Sequence, residues 1–170
     1  MSFSIRRAVP SDEDVVVAFN AALAWESEGK RLDEAILRAG VRAAFADPAK
    51  GFYVLAERDG QVLGQAGVTF EWSDWRNGWY WWIQSVYVHQ AARRQGVFTA
   101  LYRHLEAEAM GDPSVIGLRL YVERDNRRAQ ETYRALGLVE ETYCLMGRYP
   151  LPGRAAHYAG GTGKDEAHGL

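Results

Sequence analysis

Two arginines and a glycine stand where a run of β-forming residues gives way to helical spacing. Arg93 and Arg94 lie in the connection, and Gly96 lets the backbone approach a ligand closely. Free N–H groups at a helix start, together with the helix dipole, form an anion site. The stretch therefore predicts a cradle for a pyrophosphate group. The candidate residues for this cradle are Arg93, Arg94, Gln95, Gly96, Val97, Phe98 and Thr99.

A second group of residues with a fixed spacing lies about thirty positions downstream. Asn126, Ala129 and Tyr133 are followed by Gly137, on a stretch whose apolar residues recur at helical intervals. This stretch resembles motif B of the GNAT superfamily of N-acetyltransferases. The loop around Gly96 is similar to motif A of that superfamily, which has arginine or glutamine, two variable residues, glycine, one variable residue, and glycine or alanine.

One position of the first motif departs from the family pattern. Arg93 and Gly96 match it, whereas Phe98 stands where the family has a small residue. Since main-chain N–H groups hold the ligand, a bulky side chain is tolerated there if it points into the helix–sheet interface. The two motifs follow each other in the family's order and at the family's separation, and the resemblance covers about residues 3–149.

The resemblance implies an acetyl-CoA-dependent N-acetyltransferase, in which a primary amine attacks the thioester directly in a ternary complex. Val86, Tyr87 and Val88 would bind acetyl-CoA. Backbone groups of Val86 and Val88 would hold its acetyl and pantetheine end, and an N–H there would stabilise the oxyanion. The loop backbone would take the pyrophosphate, with the arginine side chains as cationic partners. Tyr133 would protonate the departing thiolate, unless it is a core aromatic. Asn126 would cap its helix, contact acetyl-CoA, or do both.

Several residues could serve as the base that removes the amine proton. In several branches of the family the position of Gln84 is a glutamate, and here it is an amide, which cannot act as a base. If residues 77 and 78 form a two-residue hairpin turn, the strand register places Glu71 opposite Gln84. Glu71 is therefore the predicted base, with Asp74, His89 and an ordered water as alternatives, although a bulge would change the register.

Five of the six tryptophans fall within eleven positions, on the two strands that border the expected acceptor site. Aromatic faces beside carboxylates suit a cationic amine. We therefore expect a small primary amine, such as a polyamine, an amino-acid derivative or an aminoglycoside-like compound, bound by Glu26, Trp72, Asp74 and Gln84. A homodimer contact through the same hairpin is the alternative use of these aromatic residues. The five are Trp72, Trp75, Trp79, Trp81 and Trp82.

These residues must be positioned by an alternation of strands and helices. Period-two patterns predict strands at 3–9, 52–58, 61–72, 79–88, 115–122 and 138–149. Periods near 3.6 predict helices at 11–28, 32–46, 94–109 and 126–136. This order and the resemblance indicate an α+β, GNAT-like fold, with a mixed, mostly antiparallel sheet (β-α-α-β-β-β-α-β-α-β) and helices on both faces. We expect residues 1–149 to form a single domain and residues 150–170 to form a flexible tail.

Length, charge and composition exclude several classes. The chain has 170 residues, a net charge of −2 and a pI near 6.1, which give no electrostatic basis for binding nucleic acid or an acidic membrane. No apolar run is long enough to span a membrane. The single cysteine and the lack of a signal-peptide pattern favour a cytoplasmic location. The four histidines lack metal-ligand spacing, so we expect no metal.

Two other functions are compatible with these motifs. One is an acyl-CoA-binding sensor module without turnover, which Gln84 favours and Tyr133 opposes. The other is a protein or peptide N-acetyltransferase, whose acceptor groove must admit a peptide. A bulky tryptophan hairpin that closes the groove would oppose the second alternative.

Overall fold

The computed structural model describes residues 3–159, so residues 160–170 of the predicted tail (150–170) lie outside the described residues. The chain divides into two compact units, of which the second is Tyr121–Ala156 and the first holds the rest. In chain order the elements are β1 (Ser4–Arg7), α1 (Glu13–Glu28), β2 (Arg31–Leu32), α2 (Glu34–Ala46), β3 (Phe52–Arg58), β4 (Gln61–Ser73), β5 (Gly78–Val88), α3 (Val97–Gly111), β6 (Val115–Leu120), α4 (Arg127–Ala135) and β7 (Tyr158–Ala159).

A five-stranded sheet organises the first unit, in the order β1-β3-β4-β5-β6. Neighbouring strands are antiparallel except β5 and β6, which run parallel. The parallel pair follows from the connection, because α3 lies between the two strands and carries the chain back to the start of the sheet. The predicted α+β class with a mostly antiparallel sheet is confirmed.

Helices cover both faces of this sheet. Leu55 is fully buried in a cluster with Val16 of α1 and Val41 of α2. The next residue, Ala56, points to the opposite face, because side chains alternate along a strand. Its cross-strand partner Gly64 lies against the Val97 side chain at the start of α3. The α1 and α2 helices therefore lie on one face and α3 on the other.

The helix ends of the first unit follow local sequence signals. Gly29 takes the left-handed φ of 64° that stops α1. The Asp33 side chain accepts a hydrogen bond from the Ile36 N–H at 3.1 Å and begins α2. Gly29 thus sets the end of α1, and Asp33 sets the start of α2.

The second unit contains α4, whose two ends are both capped. The Asn126 side chain accepts from the Ala129 N–H at 3.1 Å. Gly137 has a left-handed φ of 93°, and the Leu138 N–H donates to the Tyr133 carbonyl at 3.0 Å. The asparagine and glycine of the second motif thus fix the length of the helix that carries Tyr133.

The predicted strand at residues 138–149 is wrong: the described second unit has no strand there. Tyr143, Leu145 and Met146 in that segment are exposed. A β-forming sequence becomes a strand only when another strand pairs with it. The final strand lies later, at Tyr158–Ala159, where it pairs with β2 inside the segment predicted to be a tail.

Candidate active site

The hairpin between β4 and β5 has a four-residue loop. Ser73 lies opposite Gly78, and the Arg76 N–H donates to the Ser73 carbonyl at 3.3 Å, as in a β-turn. Asn77 then takes a left-handed φ of 49°, which asparagine tolerates. The predicted two-residue turn at positions 77 and 78 is therefore wrong. With the four-residue loop, each β4 residue lies opposite a β5 residue four positions earlier than the two-residue turn would give.

This register moves Glu71 away from its predicted position. Glu71 lies opposite Tyr80, and Gln84 lies opposite Gly67. Tyr80 and Gln84 are four positions apart on β5, which is about 13 Å. Both Glu71 oxygens are also in use.

One Glu71 oxygen accepts from the Trp82 indole N–H, and the other accepts from Arg119 at 3.1 Å. The Arg119 guanidinium also lies 3.7 Å from the Tyr80 ring centre. Glu71 was assigned as the base because it was expected to lie opposite Gln84, and the structure does not place it there.

We expect Glu71→Gln to leave the pH dependence of kcat unaltered, since its carboxylate is occupied and lies far along the strand from Gln84. A pH–rate profile of the variant beside the wild type is the measurement. Glu57→Gln is a suitable control, because Glu57 is also paired with an arginine, at 2.7 Å from Arg6. Loss of one limb of the profile in Glu71→Gln alone would restore Glu71 as the base.

A β-bulge interrupts β5 immediately after Gln84. Gln65 pairs with Tyr87 and Gly67 with Gln84, so one residue of β4 faces two residues of β5, Ser85 and Val86. Ser85 takes a left-handed φ of 52°, which is unusual for a residue with a side chain. Bulges of this kind turn neighbouring backbone groups in new directions and often adjoin active sites.

The same part of β5 has one edge without a partner strand in the described first unit. The last pair between β5 and β6 joins Ile83 to Leu120, and β5 continues to Val88. Residues 84–88 therefore pair with β4 alone. Their other edge offers backbone N–H and C=O groups to an extended ligand.

Buried polar groups hold the bulge from the side of α1. The Gln65 Nε2 donates to the Ser85 carbonyl at 3.1 Å and to the Asn20 Oδ1 at 2.8 Å. The Asn20 amide in turn donates to the Tyr53 hydroxyl at 3.4 Å. Gln65 is fully buried, and its Oε1 has no hydrogen-bond partner among the described residues. The unusual backbone of Ser85 is therefore fixed by a side chain twenty residues away.

We expect Gln65→Leu to lower the free energy of unfolding by about 1–2 kcal/mol, because the Ser85 carbonyl and Asn20 lose a buried donor. Removal of the unpaired Oε1 offsets part of the loss. Urea denaturation measures the effect, with Gln61→Leu on the exposed start of the same strand as the control. Equal stabilities of the two variants would contradict a role for Gln65 in holding the bulge.

A cavity of about 370 Å³ lies beside the bulge, between α1, α2 and the sheet. The Ser85 end is polar, with Asn20 and Tyr53, leucines of α1 and α2 form apolar walls, and Ser27 and Glu28 at the end of α1 also line the cavity. Such a shape suits a small molecule with an apolar body and a polar end. Residues that line it include Asn20, Leu23, Leu37, Gly40, Tyr53 and Ser85.

The loop between β5 and α3 has the conformation of an anion cradle. Arg94 and Gly96 both take left-handed φ values, of 66° and 82°. The first helical turn of α3 leaves its N–H groups without intrahelical acceptors, and the bond from the Ala100 N–H to the Gly96 carbonyl is the first of the ladder. A Cβ on Gly96 would meet no atom within 4 Å, so space in front of the loop is open. These features fit a pyrophosphate group.

The side chains at the start of α3 divide between core and surface. Val97 is buried, and the half-buried Phe98 ring lies 6.3 Å from the Tyr102 ring. The bulky residue of the first motif thus packs along its own helix. Gln95 bridges the loop, accepting from Arg58 at 3.0 Å and donating to the Ala91 carbonyl at 2.8 Å.

Arg93 is engaged within the protein. Its Nε donates to the Val88 carbonyl at 2.9 Å, and its Nη2 donates to the Glu26 carboxylate. Glu26 also accepts from the Tyr87 hydroxyl at 2.9 Å and from Gln90 at 3.3 Å. The hydrogen bond from Arg93 is the main reason that the pKa of Glu26 is lowered. Glu26, predicted to bind the acceptor, thus lies at the pyrophosphate loop.

The tryptophan hairpin lies at the other end of β4 and β5. Trp72 pairs with Trp79, their ring centres 4.9 Å apart, and Asp74 is in the loop. Trp79 and Ser85 are six positions apart, which is about 20 Å of strand. The structure therefore does not bring Trp72 and Asp74 to the cavity, whereas Gln84 adjoins the bulge and donates to the Thr69 hydroxyl.

Tyr133 and Asn126 belong to the second unit. Burial raises the pKa of Tyr133, so its phenol is the protonated form at neutral pH. The Asn126 side chain caps α4, as one of the two predicted roles requires. Their contribution to the site in the first unit stays a prediction.

Sequence reasoning missed Gln65, Ser85, Asn20 and Tyr53. The one sequence signal was a glutamine within an otherwise apolar strand, since such a buried amide needs partners. Within residues 3–159, no group of three or more histidine, cysteine, aspartate or glutamate side chains could hold a metal ion. Over the same range, no helix has the length and hydropathy of a membrane span.

Comparisons with known proteins agree with this geometry. The model of the Acetyltransferase (GNAT) family matches residues 17–138. A mycothiol acetyltransferase of Mycolicibacterium gilvum (strain PYR-GCK) is 33% identical over 130 residues, which are 74% of this chain and 41% of the relative. The chain thus spans less than half the length of that curated relative.

Solved structures resemble the chain over most of its length. A protein described as a possible acetyltransferase from Clostridium difficile 630 is 40% identical, with a TM-score of 0.82, and the match covers 89% of this chain and 99% of that one. An aminoglycoside N-acetyltransferase solved with CoA shares the fold at 14% identity, with a TM-score of 0.72 and coverage of 88% and 96%.

Proposed function

Because the chain belongs to the acetyltransferase (GNAT) family, we propose that it transfers the acetyl group of acetyl-CoA to a primary amine of a small molecule. The observation that carries this proposal is the position of the bulge. Ser85 lies at the same time in the strand that has an open edge and in the wall of the cavity. Donor and acceptor therefore have adjoining places in the first unit.

The donor lies along β5 and the loop that follows. Backbone N–H groups from Arg94 to Thr99 take the pyrophosphate, favoured by the N-terminus of α3. The pantetheine arm, an extended chain with two amides, pairs with the open edge at residues 84–88. The N–H of Val86, beside the bulge, stabilises the oxyanion that develops on the thioester carbonyl.

The acceptor enters the cavity with its amine at the Ser85 end. The neutral nitrogen attacks the carbonyl carbon, the bond to sulfur breaks, and the amine proton is lost to water. Gln84 is an amide and Glu71 is bound by Arg119, so no side chain of the first unit is assigned as a dedicated base. Tyr133 supplies the proton that the departing thiolate takes up.

A small acceptor fits this cavity better than a protein does. Its volume of about 370 Å³ is near the lower end of the range for small-molecule sites. The names of the relatives, a mycothiol acetyltransferase and an aminoglycoside N-acetyltransferase, also refer to small molecules. The cytoplasmic location and the homodimer stay predictions.

The test is thiol release from acetyl-CoA by the purified protein across a panel of amines. The panel holds polyamines, aminoglycosides, amino-acid derivatives and peptides with free N-termini or lysines. We expect saturable release with small amines and none with peptides. Turnover with peptides alone would replace the proposal with a protein acetyltransferase. Binding of acetyl-CoA without turnover on any amine would favour the sensor module, which the amide at Gln84 makes the second candidate.

A further inference from the structure

We infer that Glu26 is a positioning residue for the pyrophosphate loop, which it holds in shape through Arg93, and that it does not anchor the amine. This inference rests on the proposed function, because it assigns a role within the acetyl-CoA site. It concerns a contact between residues 67 positions apart, at the last turns of α1 and the connection from β5 to α3.

The first argument is geometric. The Arg93 side chain is held from two sides, by the Val88 carbonyl and by the Glu26 carboxylate. Arg93 thus fastens the loop to the end of β5 and to α1 at once. Immediately after Arg93 the backbone turns through the left-handed Arg94 and Gly96 into α3. The contact therefore fixes the point from which the cradle starts.

The second argument is that both Glu26 oxygens are occupied. Oε1 accepts from the Tyr87 hydroxyl and from Gln90, and Oε2 accepts from Arg93. Tyr87 is itself buried and its ring packs 4.9 Å from that of Phe19 on α1. All three of these donors come from the segment that leads into the cradle. A carboxylate bound in this way serves the loop and has little left for an ammonium group.

The third argument is one of charge. A carboxylate beside a pyrophosphate raises the energy of the bound anion, by Coulomb's law. The Glu26 carboxylate can favour pyrophosphate binding only indirectly, by holding Arg93 and the loop in position. The two interpretations predict opposite changes in the affinity for CoA when Glu26 is replaced. If Glu26 acted through its charge alone, its removal would strengthen CoA binding. If it positions the loop, its removal weakens CoA binding.

Calorimetric titration with CoA measures the direction of the change in affinity, using the wild type, Glu26→Gln, Arg93→Gln and the double variant. We expect Glu26→Gln to weaken CoA binding about tenfold, the effect of one charged hydrogen bond. The double variant should bind no more weakly than the weaker single variant, because both substitutions break the same contact. Glu106→Gln is the matched control. Glu106 pairs with Arg103, and its side-chain exposure of 29% is close to the 28% of Glu26.

A kinetic measurement separates positioning from general damage to the fold. Acetyl-pantetheine carries the thioester and lacks the pyrophosphate. We expect Glu26→Gln to raise KM for acetyl-CoA and to leave KM for acetyl-pantetheine and for the amine unchanged. Equal rises for both thioesters would show a structural defect and overturn the inference. A rise for the amine alone would make Glu26 the acceptor anchor that the sequence predicted.

The calorimetric outcomes also distinguish the two levels of the proposal. Unchanged or tighter CoA binding by Glu26→Gln, or additive losses in the double variant, overturns the positioning role alone. Absence of CoA binding by the wild type overturns the proposed function together with it.

Discussion

Replacing Tyr133 with phenylalanine should lower kcat by roughly tenfold or more and leave the Kd for acetyl-CoA nearly unchanged. The phenol donates its proton to the thiolate only as the carbon–sulfur bond breaks, so its loss affects the transition state and not the bound substrate. Tenfold corresponds to about 1.4 kcal/mol of activation free energy. Steady-state kinetics together with calorimetric binding of acetyl-CoA measure both quantities.

The pH dependence gives this prediction a second readout. Burial raises the pKa of Tyr133 above its ordinary value of 10. The protonated phenol, which is the acid, is therefore present throughout the neutral and mildly alkaline range and is lost only as pH rises through that raised pKa. We expect kcat of the wild type to fall at that high pH, and kcat of Tyr133→Phe to lack this fall.

Tyr143→Phe is the control for Tyr133→Phe. Tyr143 lies in the same unit, with its side chain exposed. Its loss should change neither kcat nor the alkaline limb. Unchanged turnover in Tyr133→Phe would remove Tyr133 from the acid role and leave a packing role for its ring.

Features that depend on neighbouring residues were predictable from the sequence. The stop of α1 at Gly29 and the cap of α4 by Asn126 both need only groups within a few positions. The loop around Gly96 is of the same kind, because glycine φ and a helix start define it locally. For this reason the conformation of this loop agrees with the sequence interpretation, and its role in binding acetyl-CoA stays a prediction.

Features that depend on pairing between distant residues were not predictable. The Asn77-Gly78 pair favours a two-residue turn in isolation, whereas the hydrogen bond from Arg76 to Ser73 moves the register. The bulge at Ser85 depends on Gln65, which belongs to another strand. The four-residue loop alone explains why Glu71 lies opposite Tyr80, since the bulge comes after Gln84 along β5.

The distance between the tryptophans and the cavity also depends on how the strands pair. Trp72 and Trp79 belong to the two strands that border the bulge, but the length of β5 places Trp79 about 20 Å from Ser85. Glu26 shows that residues distant in sequence can also be in direct contact. Its partner Arg93 is distant in sequence, so a carboxylate that looked free for an amine is bound to the loop.

The cavity itself is tested by filling it. Gly40 lies in α2 and lines the cavity, and a Cβ at this position would meet no atom within 4 Å. We expect Gly40→Leu to raise KM for the amine by roughly tenfold or more, which is about 1.4 kcal/mol, because the leucine takes space that the acceptor needs. The Kd for acetyl-CoA should stay unchanged, since the donor lies along β5. Amine kinetics and calorimetry are the measurements.

Gly40→Leu should bind the amine more weakly and yet be more stable than the wild type. A raised KM could then not be explained by unfolding. Glycine inside a helix costs about 0.5–1 kcal/mol relative to a good helix former, so Gly40→Leu should raise Tm by about 2–4 °C per kcal/mol gained in a chain of this size. Gly111→Leu is the control, because Gly111 ends α3 and a Cβ there also meets no atom within 4 Å. A more stable variant with an unchanged KM for every amine would place the acceptor outside the cavity, whereas a more stable variant that has lost only the amine places it inside.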